Sequence, residues 1–548
     1  MKRLITALVA LIVLAWATPA AAASWSSSVM FTNQVASSPT MGGGYPVPAG
    51  QTAPDPGTCR LGDYNSNHSE SWVAVQPGTE NLVGVSKFFF EKYSTFYDFH
   101  LGAYSIPNGT PAGNVQIPGY DCVSTGTQAM PPSWTHNTDP NVDFDTKGRA
   151  YQVTLPFNAY WVNLHPNGAI GMVYSDDLGR NWTVGNGGKY LDFLPNSSSL
   201  SLGDVVDKQW VAVNHIPGNR YQDHVYAMWS TFNSLDTSKL RVAVSRDRGQ
   251  TFSKAATLSA PQATGPSTTY VYPMIDAAGT VYVAFAAFPV CCSSPVSIYV
   301  ARSIDDGVTW GPFVKVAGGI QTVAALPNTR FRDGIVESFA ASPTYAGHLY
   351  VAWENWNGTQ MDVMFSQSTD GGSTWSAPVK VNDNVDGPGL PTDQFQPSIA
   401  AGPGGAVAVA FYDRRQACPK DATILAADRG RSNLCIDTSL QAYKDTGAGA
   451  VLVGSNVRIS QYAWDPEQPG QHVGGISQYP CAGHKDPCPN GAGFIGDYFG
   501  LAVSDANIYA LFVSTHYPSN VNADEGGRVY YQQQVLATVP RSSFGGGY

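Results

Sequence analysis

The stretch Ser368-Thr369-Asp370-Gly371-Gly372-Ser373-Thr374-Trp375 decides the fold of this 548-residue chain. Its pattern, Ser-x-Asp-x-Gly-x-Thr-Trp, occurs three more times with small changes, at Ser175–Trp182, Ser245–Phe252 and Ser303–Trp310. Successive copies begin 70, 58 and 65 residues apart. Four copies of an eight-residue pattern at such similar spacing indicate one tight turn in each of several repeated structural units.

Each recurring residue of the pattern favours a turn. The Asp side chain can accept hydrogen bonds from backbone N–H groups two or three residues later, and the Gly permits a positive φ. The aromatic residue closes over the turn and anchors it to a sheet. Strand-like sequence such as Leu240-Arg241-Val242-Ala243-Val244 precedes the copies, so we expect a hairpin turn within a β-sheet unit.

Pairs of short apolar segments repeat at the same interval. The first pair is Trp72–Val75 with Leu82–Val85, and the last is Gly500–Val503 with Ile508–Phe512. Seven pairs can be aligned, which predicts an all-β chain forming a single β-propeller of four-stranded blades over residues 66–540. Seven blades are favoured. Six blades are the alternative, because the first pair is the least regular.

The two ends of the chain differ from this repeat. Residues 1–23 have the pattern of a signal peptide, with Lys2 and Arg3 before a short apolar run and a small-residue cleavage site at Ala21-Ala22-Ala23. Residues 24–65 are expected to form an extended N-terminal arm or closing segment, and residues 541–548 a flexible C-terminal tail. We expect a secreted, extracellular protein without a membrane span.

Composition narrows the class of partner. The formal net charge is −10, and there is no basic run, so nucleic acid and anionic membrane surfaces are poor partner candidates. No feature points to self-association, and a monomer is expected. Only 13% of residues are charged, which makes any convergence of charged side chains informative.

The eight cysteines are an even number, which suits an oxidising compartment. Cys481 is expected to pair with Cys488, Cys418 with Cys435, and Cys59 with Cys122, whereas the vicinal pair Cys291-Cys292 can bridge itself or reach elsewhere. No CxxC pair or His spacing supports zinc, so no metal site and no cofactor is predicted, and structural calcium stays open.

The repeated turn resembles the Asp-box, or BNR repeat, of secreted sialidase-like β-propellers, and the resemblance covers roughly residues 70–536. It implies that Asp177, Asp247, Asp305 and Asp370 are structural and lie away from a site at the mouth of the central channel. In true sialidases three arginines bind the sugar carboxylate, a tyrosine paired with a glutamate is the nucleophile, and an aspartate is the acid/base. Here the Arg-Ile-Pro motif that supplies the first arginine is missing.

Charged and aromatic residues lie in the loops before strand one and after strand two of the units, on the face opposite the repeated turn. Arginines there can clamp a carboxylate by bidentate hydrogen bonds, paired carboxylates can supply a general acid and base, and aromatic rings can stack on sugar faces. The predicted catalytic residues are Asp413, Tyr412, Asp207 and Tyr498. The predicted substrate-binding residues are Arg332, Arg414, Arg415, Lys208 and Asp497.

A structural role competes with each of these assignments. Asp139, Asp207, Asp393 and Asp497 fall at similar positions in four units, and such repetition favours side chains that hold neighbouring blades together. Tyr412-Asp413-Arg414-Arg415 is not repeated in other units, so a function is as plausible there as a structural role.

Three functions stay open. The first is a sialidase-like exo-glycosidase acting on acidic sugars, or a polysaccharide lyase. The second is a non-catalytic carbohydrate- or protein-binding propeller, and the third is a scaffold of the cell exterior. Geometry separates the first two, because a hydrolase needs two carboxyl groups roughly 5–10 Å apart with a pocket between them. A mouth filled by ion pairs between blades would weaken the enzyme hypothesis.

Overall fold

A computed structural model of the chain shows an all-β molecule whose strands form seven sheets, the seven four-stranded blades of a propeller. The prediction of seven blades is confirmed, and six is wrong. The structure describes residues 31–37, 66–89, 99–117, 136–158, 167–194, 204–233, 237–258, 267–289, 293–334, 337–387, 389–468, 493–517, 531–545 and 547–548.

The first three blades take up the N-terminal part of the ring. Their strands are β2 (Ser66–Val75), β3 (Leu82–Phe89), β4 (Phe99–Ile106) and β5 (Gly113–Gln116) in blade one; β6 (His136–Thr138), β7 (Asp143–Phe144), β8 (Ala150–Asn158), β9 (Asn167–Ser175), β10 (Thr183–Val184) and β11 (Asp192–Leu194) in blade two; and β12 (Asp204–Val213), β13 (Val225–Asn233), β14 (Thr237–Ser245) and β15 (Ala256–Thr257) in blade three. In blade two, the first and fourth strands are each divided into two short pieces.

The remaining blades follow in chain order. Their strands are β16 (Ser267–Ile275), β17 (Val281–Phe288), β18 (Val296–Ser303) and β19 (Val314–Ile320) in blade four; β20 (Glu337–Ala341), β21 (Leu349–Trp356), β22 (Met361–Ser368) and β23 (Val379–Lys380) in blade five; β24 (Gln394–Ala401), β25 (Ala406–Asp413), β26 (Asp437–Asp445) and β27 (Ala450–Arg458) in blade six; and β28 (Gly500–Val503), β29 (Asn507–Ser514) and β30 (Gln533–Pro540) in blade seven. Short 3₁₀ helices lie at Pro107–Gly109, Asn186–Gly188, Pro403–Gly405 and Arg541–Phe544.

An N-terminal strand completes blade seven. β1 (Asn33–Val35) pairs antiparallel with β30, with Asn33 opposite Ala537 and Val35 opposite Val535. The two ends of the chain therefore share one sheet, which closes the ring.

The inner strands are buried because each blade packs between two neighbours. All eight residues of β17 are buried, and so are all eight of β25. Strands covered on both faces are near-continuous apolar runs instead of alternating ones. This explains segments such as Val-Tyr-Val-Ala-Phe-Ala-Ala-Phe at residues 281–288.

The repeated turn connects strands three and four in blades two to five. In every copy the Ser hydroxyl donates to the Asp carboxylate over 2.8 to 2.9 Å, and the Gly N–H donates to the Ser hydroxyl oxygen. In each copy the Asp oxygen accepts from the backbone N–H four residues later. In blade six, Asp445 accepts from the N–H of Gly447 over 2.7 Å.

The two faces of the ring are distinct. Because neighbouring strands are antiparallel, the turns between strands one and two and between strands three and four share one face, the turn face. The connections between strands two and three, and those leading into the next blade, share the opposite face, which we call the mouth face. A plug of four rings, Trp72, Trp210, Tyr272 and Tyr498, lies inside the channel, with centroids of neighbouring rings 4.6 to 6.4 Å apart.

Several expectations fall partly or wholly outside the described residues. They are the signal peptide, most of the arm at 24–65, and the cysteine pairs Cys59–Cys122, Cys291-Cys292 and Cys481–Cys488. The predicted disulfide Cys418–Cys435 is present. Within the described ranges, no helix combines the length and apolar character needed to cross a bilayer.

Candidate functional site

Six charged side chains from different blades meet at the mouth face, above the aromatic plug. They come from blade one (Glu70 and Lys87), blade two (Asp139), blade three (Lys208), the segment before blade five (Arg332) and the segment before blade seven (Asp497). We call this set the mouth cluster. In a chain with only 13% charged residues, six such side chains in one network form a distinct chemical site.

Lys208 is the centre of the mouth cluster. Its Nζ lies 2.9 Å from an oxygen of Asp497, 3.4 Å from one of Asp139 and 3.9 Å from one of Glu70. The Nζ of Lys87 lies 2.5 Å from the other oxygen of Glu70. One nitrogen thus joins carboxylates of three other parts of the ring.

Arg332 holds Asp497 from the other side. Its Nε and Nη2 donate to the two oxygens of Asp497 over 2.9 and 2.5 Å, which is the bidentate geometry of an arginine–carboxylate pair. The guanidinium carbon lies 4.8 Å from the ring centroid of Phe494, and Lys208 Nζ lies 5.5 Å from that of Tyr270. Aromatic rings therefore flank both Arg332 and Lys208.

The cluster is layered by charge. The Arg332 side chain is 33% exposed and that of Lys208 13%, whereas Asp497 is 8%, Asp139 5%, Lys87 3% and Glu70 0% exposed. The carboxylates and Lys87 are buried, and the two most exposed side chains of the cluster, Arg332 and Lys208, are both cations. Arg332 is therefore the charged side chain of the mouth cluster that is most accessible to solvent.

Burial and charge set the protonation of this cluster. Burial raises the pKa of Glu70 to about 7, outweighing the opposing attraction of Lys87. Burial also acts on Asp497, but the charges of Arg332 and Lys208 hold its pKa well below the usual range. The pKa of Asp207 rises to about 6 through burial and the neighbouring Asp139 carboxylate. The site thus contains both a firmly ionised carboxylate and carboxyls that titrate near neutrality.

Backbone conformation places these side chains. The first strands of four blades carry a register shift, and within each shift one residue has a positive φ: Glu70, Lys208, Tyr270 and Gln396, at 45° to 57°. Asp139 has the same conformation between β6 and β7, with φ of 57°. Left-handed conformations are unfavourable for residues with a Cβ, so five blades accept strain at the mouth.

A second group of carboxyls lies next to the cluster, in blade five and the segment before it. Glu337 is fully buried, and neither of its oxygens has a hydrogen-bond partner among the described residues. Both oxygens of Asp333 are also without a partner there, as is Oε1 of Glu354. Burial raises the pKa of all three carboxyls, and for Glu354 the nearby Asp333 adds to this. Burial therefore favours the neutral form of each of these carboxyls.

The run Tyr412-Asp413-Arg414-Arg415 lies elsewhere, inside blade six and its insertion. Asp413 is fully buried and accepts from Arg415 Nε over 2.7 Å and from the Ser439 hydroxyl over 2.7 Å. Arg414 is fully buried and donates to Asp393 over 2.9 Å and to the carbonyl of Pro327 over 2.9 Å. These groups are engaged with the fold, and the structure does not bring them to the mouth cluster.

The two predicted catalytic tyrosines are also internal. Tyr412 is 1% exposed, and its oxygen accepts from the N–H of Val513 over 3.1 Å. Tyr498 belongs to the aromatic plug and donates to the carbonyl of Pro140 over 2.9 Å, across the channel. Of the predicted residues, the structure brings together Lys208, Arg332 and Asp497, with Asp207 next to Lys208 in the chain.

The four aspartates expected at similar positions do not occupy equivalent ones. Asp139 has the left-handed conformation, Asp207 precedes the left-handed Lys208, and Asp393 lies three residues before the left-handed Gln396. Asp497 lies in the segment before β28. A register shift of one residue changes which side chain of a first strand enters the channel.

Glu70, Lys87, Asp139 and Tyr270 are not among the predicted catalytic or substrate-binding residues. A signal for two of them exists: in Glu70-Ser71-Trp72, Lys208-Gln209-Trp210 and Tyr270-Val271-Tyr272, the mouth residue stands two positions before a plug aromatic. Within the described part of the chain, no set of three or more His, Cys, Asp or Glu is arranged to hold a metal ion.

No known family profile matches the chain, and no curated protein sequence matches it. Solved structures resemble it over most of its length at low identity. A protein of unknown function from Dyadobacter fermentans is 11% identical, with a TM-score of 0.42, over 87% of this chain and 95% of that one. The NanB sialidase of Streptococcus pneumoniae is 11% identical, with a TM-score of 0.38, over 92% and 71%. The α-L-arabinofuranosidase Arb93A of Fusarium graminearum is 11% identical, with a TM-score of 0.37, over 74% and 94%.

Proposed function

We propose that the protein binds an acidic saccharide at the mouth face, with Lys208 and Arg332 receiving a carboxylate of the sugar. The observation that carries this proposal is the charge layering of the mouth cluster, in which the two most exposed side chains, Arg332 and Lys208, are cations and the carboxylates are buried. A carboxylate reaching Arg332 would find a cation already oriented by Asp497 and Phe494. Preorganised donors of this kind bind without much loss of side-chain freedom.

The rings beside the two cations support a saccharide over a simple anion. Phe494 and Tyr270 place apolar surface next to the charges. Binding sites for small organic ligands combine apolar walls with a few placed polar groups. A ligand with both a carboxylate and a ring face fits this mixture better than an inorganic ion.

Hydrolysis of the bound sugar is the second candidate function. It is favoured by the carboxyls that titrate near neutrality, Glu70 and Asp207, because a general acid must be protonated at the working pH. Against it stands the position of Lys208, whose Nζ fills the space between the carboxylates of Glu70, Asp139 and Asp497. Binding without turnover is therefore the primary proposal.

We also propose that the protein is secreted. The leader-like sequence at residues 1–23 motivates this, and the disulfide Cys418–Cys435 is compatible with an oxidising compartment.

The test is a screen of the purified protein against sialosides and acidic polysaccharides, following both binding and product. Binding of acidic but not of neutral saccharides, lost in Arg332→Ala, would support the primary proposal. Release of sialic acid or new reducing ends would support hydrolysis, and unsaturated products would indicate a lyase. Equal binding of neutral and acidic saccharides would overturn the assignment of the cations.

A further inference from the structure

A polar groove of about 560 Å³ lies beside the mouth cluster. Its walls are the segment Ala325–Arg330, part of the blade-six insertion around Leu425, Asp428 and Arg431, and Glu467. Arg330 and Arg332 stand on either side of Phe331 in an extended segment, where the N–H of Arg332 and the carbonyl of Arg330 both bond Gly493 over 2.7 Å. Two residues of one segment, Arg330 and Arg332, thus serve the groove and the mouth.

The groove repeats the charge layering of the mouth. Arg330 donates through Nε to Glu467 over 2.6 Å, and its side chain is 36% exposed while that of Glu467 is 10% exposed. Arg431 bonds Asp428 over 2.9 Å, with exposures of 54% and 11%. In both pairs the cation is the exposed partner. Solvent-accessible arginines therefore continue from Arg332 at the mouth to Arg330 and Arg431 in the groove.

An aromatic platform stands beyond the groove. The rings of Tyr462 and His516 are parallel within 8° and their centroids are 3.8 Å apart, while Tyr517 packs edge-on against both. Tyr462 is 40% exposed. Since His516 covers one face of the tyrosine ring, the exposed area belongs to its edge and its opposite face. Burial lowers the pKa of His516, so its ring stacks as a neutral imidazole.

The groove and the aromatic platform are held in place by the same group of contacts. Asp421 acts electrostatically on His516, and Leu425, four residues later in the same loop, lines the groove. Thr515, next to His516, donates to the carbonyl of Asp465 over 2.9 Å, and Asp465 accepts from the N–H of Leu425 over 3.0 Å. The two features are thus built on one set of contacts between blades six and seven.

We propose that the ligand of this protein is an oligosaccharide that carries carboxylates on more than one sugar, and that it extends from the mouth cluster through the groove to Tyr462. This inference rests on the proposed function. The mouth takes one carboxylate, Arg330 and Arg431 face further ones, and the exposed face of Tyr462 stacks on a sugar ring. A monosaccharide would use only the first part of this track.

Calorimetric titration with galacturonate oligomers and with hyaluronan oligosaccharides, from disaccharide to hexasaccharide, tests the inference. In the wild-type protein, at least one series should gain affinity with length by about tenfold or more, and its methyl-esterified counterpart should lose that gain. Tyr462→Ala should weaken the binding of the hexasaccharide about fivefold to tenfold and leave the affinity for the disaccharide unchanged. Tyr462→Phe should retain the wild-type affinities.

Phe193→Ala is the matched control variant. Phe193 is also 40% exposed and stacked, on Tyr190 with centroids 5.6 Å apart, but it lies on an outer strand of blade two. Its loss should leave every affinity unchanged. Arg431→Ala should weaken only the longer acidic ligands.

The outcomes separate this inference from the proposed function. If disaccharide and hexasaccharide bind equally and Tyr462→Ala changes neither, the track is overturned while the mouth remains the binding site. If no acidic saccharide of any length binds to the wild-type protein, both proposals fail together.

Discussion

Tyr226 of blade three donates its phenolic hydrogen to an oxygen of Asp306 in blade four over 2.7 Å. His224 Nδ1 lies 2.8 Å from the same oxygen, and Arg246 Nε bonds the other one over 2.6 Å. On the same turn face, Tyr350 bonds Asp445 over 2.5 Å and Tyr509 bonds Glu80 over 2.6 Å, again between neighbouring blades. A tyrosine of a second strand thus ties its blade to a carboxylate of the next one.

Tyr226→Phe should destabilise the protein by about 2 kcal/mol, because it removes a buried hydrogen bond to a charged group and leaves the carboxylate short of a donor. Denaturant unfolding would measure the change. Tyr299→Phe is the control: its ring is buried, but no hydrogen bond of its hydroxyl occurs among the described residues. A loss equal to that of Tyr226→Phe would show that burial, and not the bond to Asp306, sets the effect.

Asp306→Asn should make the stability of the protein depend less on pH in the acidic range. Burial pushes the pKa of Asp306 up, but hydrogen bonds from His224 and Tyr226 keep it below the usual value. A carboxyl whose pKa is lowered by folding stabilises the fold above its unfolded pKa of about 3.9. This stabilisation is lost as pH falls through the pKa of the folded state. The wild type should therefore have a larger free energy of unfolding than the variant at about pH 6, and the difference should shrink below about pH 4.

Asparagine is a suitable replacement because Asp306 has φ of 67°, a conformation that Asn tolerates. Chemical denaturation at a series of pH values checks the prediction. A constant difference from about pH 6 down to pH 3 would mean that the carboxylate charge of Asp306 is not what the fold uses.

The architecture could be predicted from the sequence because its determinants are local. The turn around Asp370 is fixed by Ser368 two residues before it and Thr374 four residues after it, so a short pattern specifies the whole hydrogen-bond set. The apolar pairs of the inner strands are likewise local signals. Repetition then turns one weak pattern into a strong prediction of a ring.

The site could be predicted only in part, because its partners are distant in the chain. Lys208 and Asp497 were selected from the sequence, and their ion pair joins residues 289 positions apart. Glu70 is not among the predicted catalytic or substrate-binding residues, because nothing local shows that it is buried beside Lys87. Arg414 was selected, yet the insertion that buries it is fixed by Asp393 and Pro327, which lie in other segments.

Lys208→Met should destabilise the protein at neutral pH by about 3 kcal/mol or more, because three buried carboxylates lose the cation they share. The loss should be smaller at about pH 5, where Glu70, with a pKa raised by burial to about 7, is already protonated. Urea unfolding at both pH values measures this. Lys315→Met, at an exposed lysine of blade four, should change stability by less than about 0.5 kcal/mol. Equal losses at the two pH values would contradict the coupling to Glu70.

Replacing both Cys418 and Cys435 by Ser should loosen the blade-six insertion. The disulfide closes 17 residues of sequence, for which the entropic stabilisation is about 3 kcal/mol. The insertion exposes Lys420, Arg429 and Arg431 to trypsin. We expect faster cleavage at these sites, with little change in the cleavage of other blades. Reduced wild-type protein should behave like the variant. Unchanged cleavage would show that the hydrogen bonds of Arg414 hold the insertion without the disulfide.

Glu337→Gln should become increasingly stabilising as pH rises. Burial raises the pKa of Glu337 well above its usual value, and its oxygens have no hydrogen-bond partner among the described residues. Ionisation of such a group costs stability above the unfolded pKa, by up to about 1.4 kcal/mol per pH unit until the folded pKa is reached. Glutamine has nearly the same shape and no charge to bury. The two proteins should therefore be similar at about pH 4 and diverge by about pH 8 in favour of the variant.

Glu80→Gln supplies the control of opposite sign. Burial acts to raise the pKa of Glu80, but hydrogen bonds from Tyr509 and Asn507 lower it below the usual value. The wild type should then be the more stable protein at neutral pH, and its advantage should vanish as pH falls below about 4. Thermal unfolding of the three proteins across this range decides the matter. If Glu337→Gln instead loses stability at high pH, Glu337 is ionised in the folded protein and faces a cation, and its place among the neutral carboxyls of the mouth is wrong.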